Sequence, residues 1–187
     1  MRKLIVFNHI TLDGYFVDGG GQFNWARHGN DDPEYAQFVA GNASGGGELV
    51  FGRVTYSIMA SYWPTPIADQ HLPEVARSMN ASPKVVFSRT LSEAAWNNTR
   101  LLKGDLVTEV RKLKEEPGPG MCILGSGSIV AQLAPHGLID EYQFVVDPVA
   151  LGKGRSMFDG TPEPVNLKLA KSRVFQNGKI FLCYEPV

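Results

Sequence analysis

Four small residues, Gly125-Ser126-Gly127-Ser128, have the types and the spacing that could bind a phosphate group. They directly follow the apolar run Met121–Leu124, which has the length of a buried strand, and apolar residues recur at helical spacing after them. A strand, a glycine turn and a helix in this order bring free backbone N–H groups to a helix N-terminus, where they attract phosphate oxygens. The four residues are equally consistent with a tight turn in which a serine caps the helix. Because Val130 stands where a dinucleotide fingerprint needs its third glycine, the turn alone does not identify a ligand.

Two further polar motifs follow apolar runs of strand length. Gly52-Arg53 comes after the run 48–51, and Ser88-Arg89 comes after the run 84–87. In an open α/β sheet, ligands bind at the carboxyl ends of the parallel strands. The sequence therefore predicts one anionic ligand that contacts all three strand ends.

These motifs need an alternation of strands and helices to bring them together, and the sequence predicts one. Asp32 is suited to cap a helix that has Pro33 in its first position, and Asn177-Gly178 is a strong hairpin signal near the C-terminus. Strands are predicted over residues 4–7, 48–51, 84–87, 96–102, 121–124 and 141–146, and further helices over 55–62, 69–80 and 105–114. This pattern indicates an α/β fold with a mostly parallel central sheet and an antiparallel edge. Because no linker or repeat divides the chain, residues 1–187 are expected to form a single domain.

Composition argues against several kinds of partner. The chain has 187 residues, is 43% hydrophobic and 20% charged, and carries a formal net charge of −1, so it offers no electrostatic basis for binding nucleic acid or an anionic membrane. No apolar run approaches the length of a membrane span. Cys122 and Cys183 lie in apolar runs, as reduced core cysteines of a cytoplasmic protein do. No metal site is expected, because the four histidines share no ligand spacing with one another or with the cysteines. They are His9, His28, His71 and His136.

The motif Gly52-Arg53-x-Thr55-Tyr56 resembles the glycine-arginine-x-threonine-aromatic motif of dihydrofolate reductases. A wider set of motifs occurs in the order of the same family: Leu12-Asp13-Gly14, Ser88-Arg89-Thr90-Leu91, Trp96-x-Asn98, Gly125-Ser126-Gly127-Ser128, Leu138-Ile139-Asp140-Glu141 and Pro148-x-x-Leu151-Gly152-x-Gly154. Nearly the whole chain is thus similar to the dihydrofolate-reductase-like family, and more narrowly to the C-terminal reductase domain of the riboflavin-biosynthesis deaminase-reductase. The resemblance implies a three-layer dihydrofolate reductase-like fold, NADPH as the cofactor and a homodimer.

The resemblance also implies which residues bind the cofactor. Gly52, Arg53 and Thr55 would contact the pyrophosphate, while Ser88 and Arg89 would hold the ribose 2′-phosphate, since a guanidinium and a hydroxyl suit its oxygens. The glycine-serine turn at 125–128 would meet the pyrophosphate and the nicotinamide ribose from the other side. Each motif also has a structural interpretation, as a solvated surface arginine, a helix cap or an ordinary turn.

Two carboxylates are candidates for the proton donor. Glu34-x-Ala36-x-Phe38 has the spacing of the acidic residue, alanine and phenylalanine in the pterin site of dihydrofolate reductases, where the acid grips the ring and assists its protonation. Glu34 also has a purely structural interpretation, because an acidic residue stabilises the first turn of a helix. Asp13 is the rival candidate, and it could equally shape the turn before Gly14.

Other residues near these carboxylates could bind a substrate. Aromatic residues could stack a flat ring or belong to the core, and they are Tyr15, Phe16, Phe23 and Trp25. Lys153 and Arg155 could receive a substrate phosphate or be solvated.

The function predicted from the resemblance is an NADPH-dependent reductase that acts on a small pyrimidine- or pterin-like molecule. It would be similar to 5-amino-6-(5-phosphoribosylamino)uracil reductase or dihydrofolate reductase. The departures at 12–14 and 148–154 argue against dihydrofolate itself as the substrate. The alternatives are an NADP(H)-binding module or redox sensor without catalysis, and a structural subunit that binds no ligand.

Overall fold

A central sheet of eight strands organises the molecule. The computed structural model describes residues 1–27 and 32–187. The strands are β1 Leu4–Thr11, β2 Tyr15–Asp18, β3 Glu48–Gly52, β4 Lys84–Phe87, β5 Thr99–Leu102, β6 Met121–Leu124, β7 Glu141–Asp147, β8 Gly154–Ser156, β9 Leu167–Val174 and β10 Ile180–Pro186. The helices are α1 Pro33–Ser44, α2 Arg53–Tyr62, α3 Pro66–His71, α4 Pro73–Ala81, α5 Leu106–Glu115 and α6 Gly127–Leu133, with short 3₁₀ turns at Asn24–Arg27 and Ala134–His136.

The strand order in the main sheet is β5-β4-β3-β6-β1-β7-β10-β9. Every pair from β5 to β7 is parallel, whereas β10 runs antiparallel to both β7 and β9. This arrangement confirms the predicted fold class, a mostly parallel central sheet with an antiparallel C-terminal hairpin. The strands β2 and β8 form a separate small sheet. Because the strands from β5 to β7 are parallel, their carboxyl ends lie along one edge, where the predicted phosphate motifs begin.

Helices cover both faces of the sheet, as a three-layer fold requires. Adjacent residues of one strand point to opposite faces, so Val50 packs in a core cluster with residues of α5 and α6, while Phe51 packs with residues of α2 and α4. On the second face, a further cluster joins Tyr35 of α1 to Phe175 and Phe181 of the C-terminal hairpin.

Local sequence signals account for most of the helix boundaries. The carboxylate of Asp32 accepts hydrogen bonds from the N–H groups of Glu34 and Tyr35, and Pro33 occupies the first position of α1, as predicted. Asp105 caps α5 in the same way.

The predicted helix over 69–80 is in fact two helices, α3 and α4. They are separated at Leu72, because the residue before a proline is disfavoured in the helical conformation and Pro73 starts the second helix. The predicted strand over 96–102 begins only at Thr99, because Asn98 takes a left-handed conformation and Trp96 is buried against Phe51 and Tyr56 instead.

Other expectations concern cysteines, membrane spans and metals. Cys122 and Cys183 are free thiols. Among the described helices, none is long and apolar enough to cross a bilayer. Within the same part of the chain no three metal-binding side chains cluster together. His28 lies outside the described residues.

Candidate active site

A cleft of about 1310 Å³ includes the carboxyl ends of the parallel strands and extends along one face of the sheet past residues of α1 and α4. All the residues predicted to bind the cofactor line this cleft: Gly52, Arg53, Thr55, Ser88, Arg89, Gly125, Ser126, Gly127 and Ser128. The fold therefore brings together three motifs that lie far apart in the sequence. Their role in cofactor binding stays a prediction, for which the shared cleft provides the geometry.

The glycine-serine turn has a backbone that few residues could adopt. Gly125 and Ser126 both have positive φ angles, of 60° and 58°. A Cβ atom on Gly125 would lie 2.8 Å from Cγ2 of Thr55, so this glycine is needed both for its φ angle and for the close approach of α2. Asn8 of β1 fixes the turn from the other side, since its Oδ1 accepts the Gly125 N–H at 2.6 Å and its Nδ2 donates to the Gly125 carbonyl at 3.3 Å.

Two hydroxyls of the cofactor motifs join the strand ends to each other. Ser126 Oγ accepts the backbone N–H of Gly52 at 2.8 Å, and the Ser126 N–H donates to Thr55 Oγ1 at 3.1 Å. Ser126 is the N-cap residue of α6, as the structural interpretation of the turn expects, but its hydroxyl bonds to Gly52 and Leu124 and makes no capping hydrogen bond. These bonds hold the ends of β3 and β6 at a fixed separation, and they give Thr55 and Ser126 a positioning role whatever else they bind.

The N-terminus of α2 has no capping partner of its own. The residue before it, Gly52, has no side chain, and no acidic residue lies in its first turn. Helix α2 starts directly at the cleft, since residues 52–55 line it. Unpaired N–H groups and the helix dipole make such an end attractive to an anion.

Two exposed guanidinium groups reach the same part of the cleft. Neither Arg53 nor Arg89 forms an ion pair with any side chain in residues 1–27 or 32–187. Ser88 supports the turn that carries Arg89, because its Oγ accepts the N–H groups of Thr90 and Leu91 at 3.2 and 3.0 Å. The positive charge at this end of the cleft is therefore available to a ligand.

One carboxylate, that of Asp105, lines the cleft near these cations. It caps α5, and the hydrogen bonds from the Thr108 N–H and hydroxyl, with a smaller contribution from the charge of Arg89, lower the pKa of Asp105. It therefore stays ionised and oriented toward its own helix.

The other half of the cleft has aromatic and amide side chains. Of the predicted aromatic residues, Phe16 and Phe23 line it, whereas Trp25 is buried and Tyr15 packs against Gly154. Further lining residues here are Gln22, Asn24 and Arg155. Phe16 lies against the start of α6, since a Cβ on Gly127 would come within 2.9 Å of its ring. This half thus offers flat apolar surfaces with hydrogen-bonding groups around them.

The two predicted catalytic carboxylates are not part of the cleft lining. Asp13 accepts hydrogen bonds from the Thr11 hydroxyl at 2.6 Å and from the N–H groups of Leu151 and Gly152 at 3.0 and 2.7 Å. These bonds, above all the one from Thr11, lower the pKa of Asp13 and make it a poor acid. Its position matches the turn-forming interpretation.

Glu34 lies on the surface of α1, where its carboxylate accepts a hydrogen bond from Nε of Arg173 at 3.1 Å. Both side chains of this pair are more than 40% exposed, at 43% and 42%. The structure does not bring Glu34 or Asp13 to the cleft, because each is held elsewhere by partners of its own. Proton donation by either one stays a prediction.

The sequence analysis missed a polar network beside the aromatic half. His9 lines the cleft, and its Nδ1 lies 2.7 Å from Oδ2 of Asp147. The other carboxylate oxygen of Asp147 binds the ammonium group of Lys179, and Nε2 of His9 lies 3.1 Å from the Tyr35 hydroxyl. Asp147 and Lys179 are almost fully buried, whereas the His9 side chain is 25% exposed. The one signal in the sequence was the polar pair Asn8-His9, which directly follows the apolar run 4–7 and lies within β1.

The comparison with known proteins agrees with this architecture. A putative riboflavin biosynthesis protein from Shewanella sp. PV-4 has a similar structure, with a TM-score of 0.75 and 23% identity over 100% of this chain and 99% of its own. Dihydrofolate reductase from Enterococcus faecalis, complexed with NADP(H) and RAB-propyl, gives a TM-score of 0.64 at 15% identity, with 98% of this chain and 96% of that chain covered. The fold is therefore of the dihydrofolate reductase type.

The sequence comparison identifies the family, within this fold type, to which the chain belongs. The profile of the RibD C-terminal domain matches residues 2–181, and the chain belongs to that family. It is 27% identical over 183 residues to the uncharacterized protein YyaP of Bacillus subtilis (strain 168), which covers 98% of this chain and 94% of YyaP. The family match confirms the resemblance on which the predicted function rests.

Proposed function

We propose that this protein is an NADPH-dependent reductase of a small pyrimidine- or pterin-like molecule. The observation that carries the proposal is the meeting, in one cleft, of an uncapped helix N-terminus and two arginines without ion-pair partners among the described residues. An ordinary surface turn would give no reason for these groups to converge.

The chemistry of the donor set fits NADPH. Its pyrophosphate needs N–H donors and positive charge, which the start of α2 and Arg53 supply, and its 2′-phosphate suits the guanidinium of Arg89. The Enterococcus faecalis dihydrofolate reductase, which has a related fold, is complexed with NADP(H). This complex supports NADPH as the cofactor proposed for the present chain. When bound, this cofactor supplies a hydride, so the chain itself has to orient two rings and provide a proton.

The aromatic half of the cleft is the proposed substrate site. A flat heterocycle would stack against Phe16 and Phe23, and the amides of Gln22 and Asn24 would pair with its ring nitrogens and carbonyl oxygens. Arg155, whose guanidinium carbon lies 5.9 Å from the centre of the Phe16 ring, would receive a phosphate on the substrate. This combination favours a pyrimidine that carries a phosphoribosyl group.

The homodimer is a further proposal that comes from the family resemblance. Strand β9 forms one edge of the main sheet, and Leu169 and Val174 on it are 49% and 70% exposed. Sedimentation of the purified protein tests this proposal, and a monomer at all concentrations would contradict it. Roles in the cytoplasm and in riboflavin biosynthesis are likewise proposed.

Two measurements test the proposed function. Fluorescence titration with NADPH and NADH should show tighter binding of NADPH. NADPH absorbance should then fall when either dihydrofolate or 5-amino-6-(5-phosphoribosylamino)uracil is added, with the second compound expected to react faster. Binding without oxidation by either compound would favour the non-catalytic module, and the absence of NADPH binding would rule out both functions.

A further inference from the structure

The proposed reduction needs a proton donor, and the surroundings of His9 are those of such a group. His9 lies in β1 and keeps a quarter of its side chain exposed at the cleft. The rings of Phe7 and Tyr35 meet the imidazole edge to face, at interplanar angles of 90° and 87°. The imidazole is thus held in one plane while one part of it reaches the cleft.

The two ring nitrogens of His9 have different partners. Nδ1 faces the buried carboxylate of Asp147, which can only accept a hydrogen bond from it, so Nδ1 carries a hydrogen whether or not the ring is charged. Lys179 balances the charge of Asp147 from the other side. Nε2 is therefore the nitrogen that gains and loses the proton.

Tyr35 completes the network at Nε2. Burial, with a smaller contribution from the negative charge of Asp147, raises the pKa of the Tyr35 hydroxyl, which therefore stays protonated. A hydroxyl can donate to the neutral Nε2 and can accept from the protonated one. Because the bond between Tyr35 and His9 can form in both states, the protein satisfies His9 before and after it gives up a proton.

We propose that His9 is the catalytic acid of this reductase, with Asp147, Lys179 and Tyr35 as its positioning residues. The inference rests on the proposed function and names the acid at that same site. In the free protein the protonated Nε2 of His9 donates to the Tyr35 hydroxyl, and we infer that it exchanges this bond for one to the bound substrate. The substrate presents a C=N bond, whose carbon receives a hydride from NADPH while its nitrogen receives the proton from Nε2 of His9. One C–H and one N–H bond form, the Nε2–H bond breaks, and the cofactor leaves as NADP⁺. Solvent then reprotonates His9 through its exposed part.

The groups that face His9 come from three elements besides its own strand. They are Asp147 at the end of β7, Lys179 in the turn before β10 and Tyr35 on α1. A reductase that uses His9 should lose kcat/KM as the pH rises through the range in which Nε2 deprotonates. The histidine ring signals in NMR spectra measure that range independently of activity.

The first variant to test is His9→Asn. Its amide nitrogen can still donate to Asp147, so the buried pair with Lys179 keeps a partner, but Nε2 is absent. Turnover with 5-amino-6-(5-phosphoribosylamino)uracil should fall by about 10²–10⁴ and the remaining activity should lose the dependence on His9 titration. NADPH affinity should be unchanged. His136→Asn, at an exposed position of the second 3₁₀ turn, is the matched control and should behave as the wild-type protein does.

A second variant, His9→Gln, covers the case in which His9→Asn does not fold, as judged by circular dichroism and NADPH titration. The inference is overturned if a folded His9 variant keeps the wild-type turnover or the wild-type pH profile. It is also overturned if Glu34→Gln or Asp13→Asn causes the large loss instead. Wild-type protein that does not bind NADPH would refute the proposed function itself, which is a distinguishable result.

One more measurement applies if the wild-type protein binds NADPH but oxidises it with neither substrate. Diethyl pyrocarbonate modifies accessible neutral histidines, and mass spectrometry locates the modified residue. NADP⁺ together with dihydrofolate should protect His9 and leave His136 reactive. Equal modification of His9 with and without these ligands would show that His9 does not touch them and would overturn the inference.

Discussion

The ion pairs at the amino ends of the strands differ from the arginines at the carboxyl ends of β3 and β4. At the amino ends of the strands, Arg2 forms a buried ion pair with Glu48 at 2.8 Å, and Lys114 pairs with Asp140. At the carboxyl ends, the described structure shows no ion pair of Arg53 or Arg89, although both line the cleft.

The difference separates charges that are compensated within the fold from charges that are free to contact a ligand. A buried ion is costly unless a partner or several hydrogen bonds compensate it. Arg2 and Lys114 are accordingly paired with carboxylates, and Lys84 donates to two carbonyl groups. Exposed arginines at the cleft cost little in the free protein and keep their hydrogen-bonding capacity. The same contrast holds for helix ends, since Asp105 caps α5 whereas α2 meets the cleft without a cap.

The largest loss of stability is expected when the buried ion pair of Arg2 and Glu48 is removed. Glu48→Gln keeps the shape of the side chain but leaves the buried Arg2 without its counter-charge, so the free energy of unfolding should fall by about 3–5 kcal/mol. Urea denaturation measures this loss. The control is Glu109→Gln, which breaks the exposed pair with Lys112 and should cost less than about 1 kcal/mol. Similar losses in the two variants would contradict the contrast between the edges.

Lys84 at the start of β4 is expected to make the free energy of unfolding depend on pH. It is buried without an acidic partner in the described structure and donates to the carbonyls of Asn80 and Ser82. Burial lowers the pKa of Lys84 from 10.5 to about 8. The charged form therefore costs the folded state its full penalty below pH 8, and this penalty disappears as the pH rises toward 10.5.

The free energy of unfolding of the wild-type protein should accordingly rise relative to that of Lys84→Met between these two pH values. The expected gain is up to about 3 kcal/mol. Denaturant titrations of both proteins at each pH measure it, and other titrating groups cancel in the difference. A difference that does not change with pH would show that Lys84 keeps its ordinary pKa in the folded state.

At the carboxyl edge, Arg89→Ala should change ligand binding and leave stability intact. Loss of a charged hydrogen bond to the 2′-phosphate should weaken NADPH binding by about 1.5–3 kcal/mol, while NADH, which lacks that phosphate, should bind as before. Fluorescence titration gives both affinities, and Tm should not change. Arg77→Ala on α4, exposed and outside the cleft lining, is the matched control. Equal losses for both cofactors would remove Arg89 from the 2′-phosphate site.

The smallest effect is expected at the surface pair of Glu34 and Arg173. Because both side chains are solvated, Glu34→Gln should lower the free energy of unfolding by only about 0.2–1 kcal/mol. Thermal or urea unfolding checks this value against that of Glu48→Gln, which makes the same chemical change in a buried pair. A loss as large as that of Glu48→Gln would mean that exposure does not decide the value of these pairs.

Local patterns in the sequence predicted much of the fold and the strand-end residues that line the cleft. Asp32 and Pro33 predicted the start of α1, and Asn177-Gly178 predicted the C-terminal hairpin, because caps and turns depend on neighbouring residues. The glycine and arginine motifs predicted the strand ends that meet at the cleft for the same reason. Leu72 before Pro73 was a local signal as well, and it explains why one predicted helix is two.

The sequence by itself determined the alternation of strands and helices, the edge where a ligand would bind and the family. Only the tertiary structure decided which polar groups share a site, because those contacts link residues that are distant in the chain. His9 and Asp147 are 138 positions apart and meet through the pairing of β1 with β7, while Lys179 reaches Asp147 from the C-terminal hairpin. Conversely, Glu34 matched a motif by spacing, yet the fold places it on the surface beside Arg173. Spacing along a helix fixes which residues share a face, but the packing of that helix on the sheet fixes what the face meets.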